Sequence, residues 1–352
     1  MKSQLFLDQW IINKIGSSSK LLTREELEAY QFKKLIETLN WVKQKSKFYN
    51  KILSDIKLDK IQKIEDIQKM SFTTVKDLSE HYLDMVCVDL KEISRIVSLN
   101  TSGTTGIPKR IFFTKEDQEL TIDYFHHGMQ YIVGTKDTVL ILLPYERPGS
   151  VGDLLKIGLE RLGAKTITYG FVRKPKEVLS IIKKEKVTSL VGNPDQVLTL
   201  AQMDLEDSYN YRYLCGSQIQ SVLLSTDYIP YSTCRMLEKI WNCKVFEHYG
   251  MTEMGLGCAV SCHVLEGYHP READLFIEII NPETGQPANK GECGEIVFTT
   301  LTRKAMPLLR YRTGDISRWL TEPCPCGSIL KRLDKVRKRS QEKRIKGGIY
   351  NE

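Results

Sequence analysis

The 352-residue sequence has no long hydrophobic run, since its longest apolar stretches, such as TVLILLP from Thr138, have the length of a buried strand. A membrane-spanning helix needs about 20 apolar residues, so we expect no membrane span. The first residues, MKSQLFLDQWIINKIG, lack a long apolar run and a small-residue cleavage site, and we expect no signal peptide. Internal repeats and low-complexity tracts are also absent, which leaves an ordinary globular chain.

Cysteine is present nine times, an odd number, in a sequence without an export signal. This favours a reducing compartment and predicts a cytoplasmic protein whose cysteines are buried thiols unless they bind a metal. With 41% hydrophobic and 27% charged residues, the composition is typical of a globular protein of two or three domains. The net charge is +7, and many of the basic residues lie between Lys331 and Lys346. Because no nucleic-acid motif accompanies them, we predict a solvated segment and no nucleic-acid partner.

The pattern of the chain predicts an α/β fold. Residues 1–95 read as helical, with Thr23 capping one helix and Thr73 or Thr74 opening another. From Thr138 onward, short apolar runs at 138, 166, 189, 221 and 244 alternate with helix-like segments, which predicts a parallel sheet flanked by helices. Ligands of such a sheet bind beyond the carboxyl ends of its strands. After Glu253, strand patterns separated by Gly/Pro turns predict a β-rich lobe.

The segment TSGTTGIPK, residues 101–109, has the composition of a ligand-binding loop. The flanking segments SRIVSLN and RIFFT both predict strands. Gly103 and Gly106 allow tight turns and close approach of a ligand. Exposed N–H groups, the neighbouring hydroxyls and Lys109 would suit phosphate oxygens. The glycine spacing differs from that of a Walker loop.

This segment resembles the phosphate loop of the AMP-forming adenylating enzymes, which include acyl- and aryl-CoA synthetases, luciferases and adenylation domains. EHYGMTE at 247–253, YRTGDI at 311–316 and KVRKRSQEKRIKGG at 335–348 are similar to later motifs of that superfamily, in the same order. FYNKIL, SFTTVKDL, GEIVFTTLTRKAMPLLRYRTGDISR and CPCGSILKRL resemble the phenylacetate-CoA ligase subfamily most closely. The resemblance covers residues 30 to 350 and implies the large amino-terminal core of these enzymes.

The resemblance implies that a carboxylic acid and ATP form an acyl-adenylate, whose acyl group then passes to CoA or another thiol. Lys109 would hold the β- and γ-phosphates, Thr252 would bond the α-phosphate, and Glu253 would ligate Mg²⁺. Tyr249 would stack on adenine, and Asp315 would bind the ribose hydroxyls. The other implied nucleotide contacts are Thr101, Ser102, Gly103, Thr104, Thr105, Gly106, Ser225, Thr226, Asp227, Gly250, Met251 and Arg339. The implied acid pocket has Phe125, His126, His127 and Tyr145 as candidates.

Two features depart from the superfamily pattern. The hinge carries Ser340, Gln341 and Glu342 where an aspartate is usual. The sequence stops at KGGIYNE, where relatives begin a small domain that carries a catalytic lysine, so we expect that domain to be essentially absent. The predicted parts are a helical segment 1–95, an α/β nucleotide-binding core 96–253, a β-rich lobe 254–334, and a hinge 335–352.

Three interpretations therefore stay open. The chain is an adenylating core, an acyl-protein synthetase that transfers the acyl group to a carrier protein, or a nucleotide-binding remnant without turnover. The subfamily resemblance suggests an aryl or arylacetic acid as substrate. Oligomeric state is open as well, a homodimer included.

A cysteine- and histidine-rich pattern predicts a structural zinc site. CAVSCHVLEGYH at 258–269 and PCPCG at 323–327 supply ligands at spacings that suit four-coordinate zinc. The predicted ligands are Cys262, His269, Cys324 and Cys326, with Cys258 and His263 in reserve.

Overall fold

The computed structural model describes residues 5–99, 108–211 and 215–338. The helices of this part are α1 (Phe6–Ile15), α2 (Arg24–Lys45), α3 (Lys47–Ile52), α4 (Val75–His81), α5 (Lys115–Met129), α6 (Val151–Leu162), α7 (Pro175–Lys184), α8 (Pro194–Tyr211) and α9 (Tyr231–Trp241). Short 3₁₀ turns lie at Leu58–Lys60, Ile64–Lys69, Leu90–Glu92, Cys215–Gln218 and Thr252–Met254. Across these described ranges, every helix is too short or too polar to cross a membrane.

The strands of the described residues are β1 (Arg95–Leu99), β2 (Lys109–Phe113), β3 (Thr138–Leu142), β4 (Lys165–Thr168), β5 (Ser189–Gly192), β6 (Ser221–Leu224), β7 (Lys244–Tyr249), β8 (Ala259–Val260), β9 (His269–Pro270), β10 (Leu275–Ile280), β11 (Gly294–Thr300), β12 (Tyr311–Ser317) and β13 (Arg337–Lys338). The α/β fold class and the alternating strands and helices after Thr138 are therefore confirmed.

The chain forms two compact units. The second unit, made of the described residues of 120–251 and 256–269, contains a seven-stranded sheet in the order β4-β3-β5-β6-β7-β8-β9. Strands β3 to β7 pair in parallel, and β8 pairs antiparallel with β7. Its strands β5 and β6 are buried along their whole length and are rich in Leu and Val, as expected for a sheet covered on both faces. The carboxyl ends of β5, β6 and β7 meet at one edge of this sheet.

The first unit comprises the described residues up to 119, residues 252–255 and the described residues from 270 onward. It contains the amino-terminal helices, the antiparallel hairpin β1-β2 and the antiparallel sheet β10-β11-β12-β13. Thr23 and Thr74 cap α2 and α4 through capping boxes, each worth about 1 kcal/mol, so Thr74 rather than Thr73 begins the second helix. The division into four parts drawn from the sequence stays a prediction.

Thr73 has another role, which is to fix the strand β12. Its hydroxyl donates to the carbonyl of Leu309 at 2.7 Å and shares a hydrogen bond of 3.1 Å with the hydroxyl of Tyr49. The Tyr49 hydroxyl also accepts the N–H of Leu309 at 3.1 Å. The backbone of Thr73 bonds to both Arg310 and Arg312. The segment between α3 and α4 thus holds the backbone that leads into β12.

Candidate active site

Three polar side chains lie side by side at the carboxyl ends of the strands of the parallel sheet. Gly192 and Leu224, the last residues of β5 and β6, are in register with each other and with Glu247 of β7. Asn193, Ser225 and His248 are the residues that come next along the three chain segments. The buried Ser225 hydroxyl shares a hydrogen bond of 2.8 Å with Nδ1 of His248. This is the edge at which a parallel sheet binds its ligand.

The turn after β6 contains the predicted nucleotide contacts Ser225, Thr226 and Asp227. Thr226 has a φ of +77°, a conformation that β-branched residues rarely adopt and that costs about 1–3 kcal/mol. Its hydroxyl accepts a long hydrogen bond of 3.4 Å from the Asn193 amide. Thr226 and Asp227 are exposed. The turn therefore presents polar groups to solvent in a strained conformation, as ligand-binding turns often do.

The segment 249–251 continues the same edge from β7. Tyr249, Gly250 and Met251 are all partly exposed. A Cβ at residue 250 would lie 2.6 Å from the carbonyl oxygen of Leu256, so only glycine fits this close approach of two backbone segments. The tyrosine predicted to stack on adenine is thus followed by a backbone whose path depends on glycine.

In the first unit, Glu253 is a buried carboxylate with two partners. Its Oε1 forms an ion pair with Nζ of Lys109, the first residue of β2. The Tyr311 hydroxyl donates to the same oxygen at 3.2 Å. Burial and then the nearby Glu253 charge raise the pKa of Tyr311 far above its usual value, so this hydroxyl stays a donor at every physiological pH.

The 3₁₀ turn that carries Glu253 is fixed by two guanidinium groups. Arg303 donates to the carbonyl oxygen of Glu253 at 2.7 Å, and Arg271 donates to that of Met254. Arg303 also lies over the ring of Phe113, with 5.0 Å between the guanidinium carbon and the ring centroid. Burial lowers the pKa of Arg303 to about 10, which leaves it charged at neutral pH. Glu253 is therefore fixed in position through its backbone as well as through its carboxylate.

Asp315 lies in β12, opposite Lys338 of β13 in the strand register. Its N–H donates to the Thr313 hydroxyl at 3.0 Å, and the N–H of Gly314 donates to Glu295 at 3.0 Å. Gly314 has a φ of +76°, and the register of β11 against β12 shifts at this point. Asp315 is partly exposed, so a bulge with a fixed hydrogen-bond pattern presents its carboxylate.

The predicted phosphate loop and the hinge arginine lie outside the described residues. They comprise Thr101, Ser102, Gly103, Thr104, Thr105, Gly106 and Arg339. The two strands predicted on either side of the loop are confirmed, since β1 and β2 pair antiparallel with Leu99 opposite Lys109. Lys109 therefore leads directly out of the loop toward Glu253.

A mostly apolar cavity of about 30 Å³ lies in the second unit, and we call it the α5 cavity. Its walls include Tyr124, Phe125, Met129, Leu155, Ser225 and His248. Of the four residues predicted for the acid pocket, Phe125 lines this cavity, whereas His126, His127 and Tyr145 are not among its lining residues. His126 instead bonds to the Gly158 carbonyl on α6 at 3.3 Å.

The predicted zinc ligands belong to both units. Cys262 and His269 are buried in the second unit, and Cys324 and Cys326 are buried in the first unit. Of the reserve residues, Cys258 is buried and His263 is exposed. Three thiols and one imidazole are a donor set that suits zinc.

Sequence reasoning missed the residues that support Glu253 and those that close the α5 cavity. Tyr311 and Arg303 both lie in the segment GEIVFTTLTRKAMPLLRYRTGDISR. Their partner Glu253 precedes them by 58 and 50 residues. His248 precedes Tyr249 inside EHYGMTE, and strand alternation would have placed the two on opposite faces of β7. This alternation of side chains along β7 is the one sequence signal that could have indicated the position of His248.

Comparison with known proteins shows the family of the chain. The model of the family described as AMP-binding enzyme matches residues 25–302. The phenylacetate-coenzyme A ligase of Thermus thermophilus is 27% identical over 335 residues, which are 93% of this chain and 74% of that protein. The phenylacetate-coenzyme A ligase of Escherichia coli K12 is 27% identical over 332 residues, or 92% and 74% of the two chains.

Solved structures show the same fold. A 2-hydroxyisobutyryl-CoA ligase bound to 2-HIB-AMP superposes with a TM-score of 0.80 at 19% identity, over 91% of this chain and 69% of that one. An open form of that enzyme with 2-HIB-AMP and CoA gives a TM-score of 0.79, over 89% and 75% of the two chains. At this level of identity, the likeness concerns the fold.

Proposed function

The chain belongs to the AMP-binding enzyme family, and on this premise we propose that it activates a carboxylic acid with ATP and passes the acyl group to a thiol, with CoA as the first acceptor. A carboxylate oxygen attacks the α-phosphorus, the bond to the bridging oxygen breaks, and pyrophosphate leaves. The thiol then attacks the acyl carbon of the adenylate, and AMP leaves. The observation that carries this proposal is the buried Glu253 carboxylate, supported by Lys109 and Tyr311 at the end of a motif shared with the family.

The proposed nucleotide contacts divide by chemistry. Tyr249 stacks on adenine, Asp315 accepts hydrogen bonds from the ribose, and Thr252 donates to the α-phosphate. The turn at 225–227 borders the base, together with Gly250 and Met251. The partial exposure of this turn and the strained backbone of Thr226 support this role. The loop 101–106, Lys109 and Arg339 bind phosphate or ribose oxygens.

The donor set at Glu253 fits magnesium, because a carboxylate is the oxygen ligand that this hard cation prefers. Glu253 would hold the ion, which would supply positive charge that offsets the negative charge of the phosphates. Lys109 balances the buried carboxylate in the ligand-free protein. When ATP is present, the same ammonium group is available to the phosphates, whose charge it would stabilise in the transition state.

Acid-dependent exchange of labelled pyrophosphate into ATP tests the proposal. We expect exchange in the wild type and a loss of at least about 100-fold in Glu253→Gln, the scale of removing one group that stabilises transition-state charge. Glu283→Gln is the matched control, because Glu283 lies exposed in the turn after β10. Equal exchange in the two variants would contradict the role of Glu253.

The thiol acceptor is decided by adding CoA or a carrier protein after the adenylate has formed. A thioester with CoA supports the first proposal, and a thioester only with a carrier protein supports the acyl-protein synthetase interpretation. ATP binding without pyrophosphate exchange for any acid would support the interpretation as a nucleotide-binding remnant. A cytoplasmic location and a homodimer stay predictions.

We further propose that Cys262, His269, Cys324 and Cys326 bind one structural zinc ion. The proposal is supported by the burial of all four residues and by their donor set of three thiols and one imidazole. Four protein ligands leave no open position on a tetrahedral ion, which is the mark of a structural site. The ion would stabilise this part of the fold without taking part in the reaction.

Metal analysis of protein purified without chelator tests the zinc site. We expect about one zinc per chain in the wild type and in Cys293→Ser, since Cys293 is exposed and outside the group. Cys326→Ser should lower both the zinc content and the melting temperature. Wild-type protein without zinc would remove the proposal.

A further inference from the structure

The size of the α5 cavity carries an inference about the acid, and this inference rests on the proposed function. The cavity is bordered by Ser225 and His248. These residues directly precede Thr226 and Tyr249, the proposed nucleotide contacts. An acid whose carboxylate reaches the nucleotide at this edge of the sheet therefore has the α5 cavity as the space for its side chain.

The cavity is too small for an aromatic ring. Its volume is about 30 Å³, whereas a cavity that binds benzene has about 150 Å³ and a single water needs about 10–15 Å³. The available space thus corresponds to about two or three non-hydrogen atoms. Its lining is apolar apart from Ser225 and His248, which are hydrogen-bonded to each other, so the space suits an alkyl group.

The aromatic walls of the cavity are closely packed against their neighbours. A Cβ placed on Gly257 would lie 2.8 Å from the ring of Tyr124 and 3.0 Å from that of Phe125, so the backbone at Gly257 already touches both rings. Phe125 packs edge-on against His248, with 6.1 Å between ring centroids. Tyr124 is 1% exposed. Both rings are therefore closely packed, and Tyr124 is almost fully buried.

We propose that the chain activates short aliphatic acids, with one to three carbon atoms beyond the carboxyl group, in preference to aryl and arylacetic acids. The rings of Tyr124 and Phe125 set this limit. The wall residue Met129 is the most adaptable part of the lining, because its unbranched side chain can adopt several conformations.

Pyrophosphate exchange with a panel of acids tests the size limit. The panel contains acetate, propionate, butyrate, hexanoate, benzoate and phenylacetate. We expect the highest kcat/KM with propionate or butyrate and a value at least about 100-fold lower with phenylacetate, since a pocket rejects a group it cannot hold by about 10- to 200-fold per excess methylene.

A variant that enlarges the α5 cavity distinguishes the size of the cavity from other causes of the acid preference. Met129→Ala should raise kcat/KM for hexanoate at least about tenfold relative to propionate. Leu179→Ala is the matched control, because Leu179 is a buried residue of α7 outside the cavity. It should lower the melting temperature without changing the order of preference, and melting curves of both variants verify that they fold.

The outcomes distinguish the inference from the proposed function. Wild-type preference for benzoate or phenylacetate over propionate would overturn the size limit while supporting acid activation. Exchange with no acid of the panel would overturn the proposed function and the inference with it. An unchanged preference in folded Met129→Ala would show that the α5 cavity does not hold the acyl group.

Discussion

Removing the hydroxyl of Tyr311 should impair magnesium use more than it impairs folding. The side chain is fully buried, and its ring packs against Phe298 with 5.5 Å between centroids. Tyr311→Phe keeps this packing and deletes only the donor to Glu253 Oε1, 3.2 Å away. Glu253 then keeps its ion pair with Lys109 but loses the donor that fixes the orientation of its carboxylate.

The magnitude follows from the kind of hydrogen bond that is lost. A hydrogen bond to a charged group contributes about 1.5–3 kcal/mol, and the length of 3.2 Å favours the lower end. About 1.4 kcal/mol corresponds to a factor of ten in an equilibrium constant at 25 °C. We therefore expect the half-saturating concentration of free Mg²⁺ in pyrophosphate exchange to rise about tenfold, and the free energy of unfolding to fall by about 1.5 kcal/mol.

Tyr49→Phe is the control that separates the two effects. Tyr49 is also fully buried, and its hydroxyl bonds to Thr73 and to the backbone of Leu309 rather than to Glu253. The control should lose a similar amount of stability and keep the wild-type magnesium midpoint. The reasoning is refuted if Tyr311→Phe keeps the wild-type midpoint, or if Tyr49→Phe shifts it equally.

Two further predictions concern pH and thiol reactivity. Burial and then the neighbouring His127 lower the pKa of His126 below its unfolded value of 6.5, so the unfolded state binds the proton more readily and stability is lost as pH falls through 6.5. The melting temperature of His126→Gln should therefore drop less between pH 7.5 and pH 5.5 than that of the wild type, and an equal drop would contradict this. Cys293 is the exposed one of the nine cysteines, whereas burial raises the pKa of Cys87 to about 12. Ellman's reagent at pH 7.5 should titrate one thiol rapidly in the native protein and none rapidly in Cys293→Ser, and a fast thiol that persists in that variant would contradict the assignment.

Much of the fold follows from local patterns that the sequence displays. The alternation after Thr138 predicts the strands of the parallel sheet, and the strands on either side of the phosphate loop predict the pair β1 and β2, whose register places Leu99 opposite Lys109. These features depend on neighbours within a few residues. The capping boxes at Thr23 and Thr74 are equally local, because each needs only an acidic residue three positions later.

The support of Glu253 could not be read in the same way. Its partner Tyr311 is 58 residues away, and that tyrosine is fixed through Thr73, whose hydroxyl bonds to a carbonyl 236 residues further on. Such pairs depend on how sheet and helices pack, which periodicity does not encode. The size of the α5 cavity is hidden for the same reason, since side chains of α5, α6, β5, β6 and β7, which are distant in the sequence, line it together.

Lys109 connects the folded state of the ligand-free protein with the proposed chemistry. The side chain of Glu253 is 2% exposed, and a buried carboxylate left without its cation costs about 3–5 kcal/mol. Lys109, at 16% exposure, supplies that cation and keeps partial contact with water. Under the proposed function, Mg²⁺ held by Glu253 would supply the positive charge that the buried carboxylate needs. The ammonium group of Lys109, which follows the loop 101–107 in the sequence, would then be available to the phosphates, and the Glu253 carboxylate would keep a cationic partner.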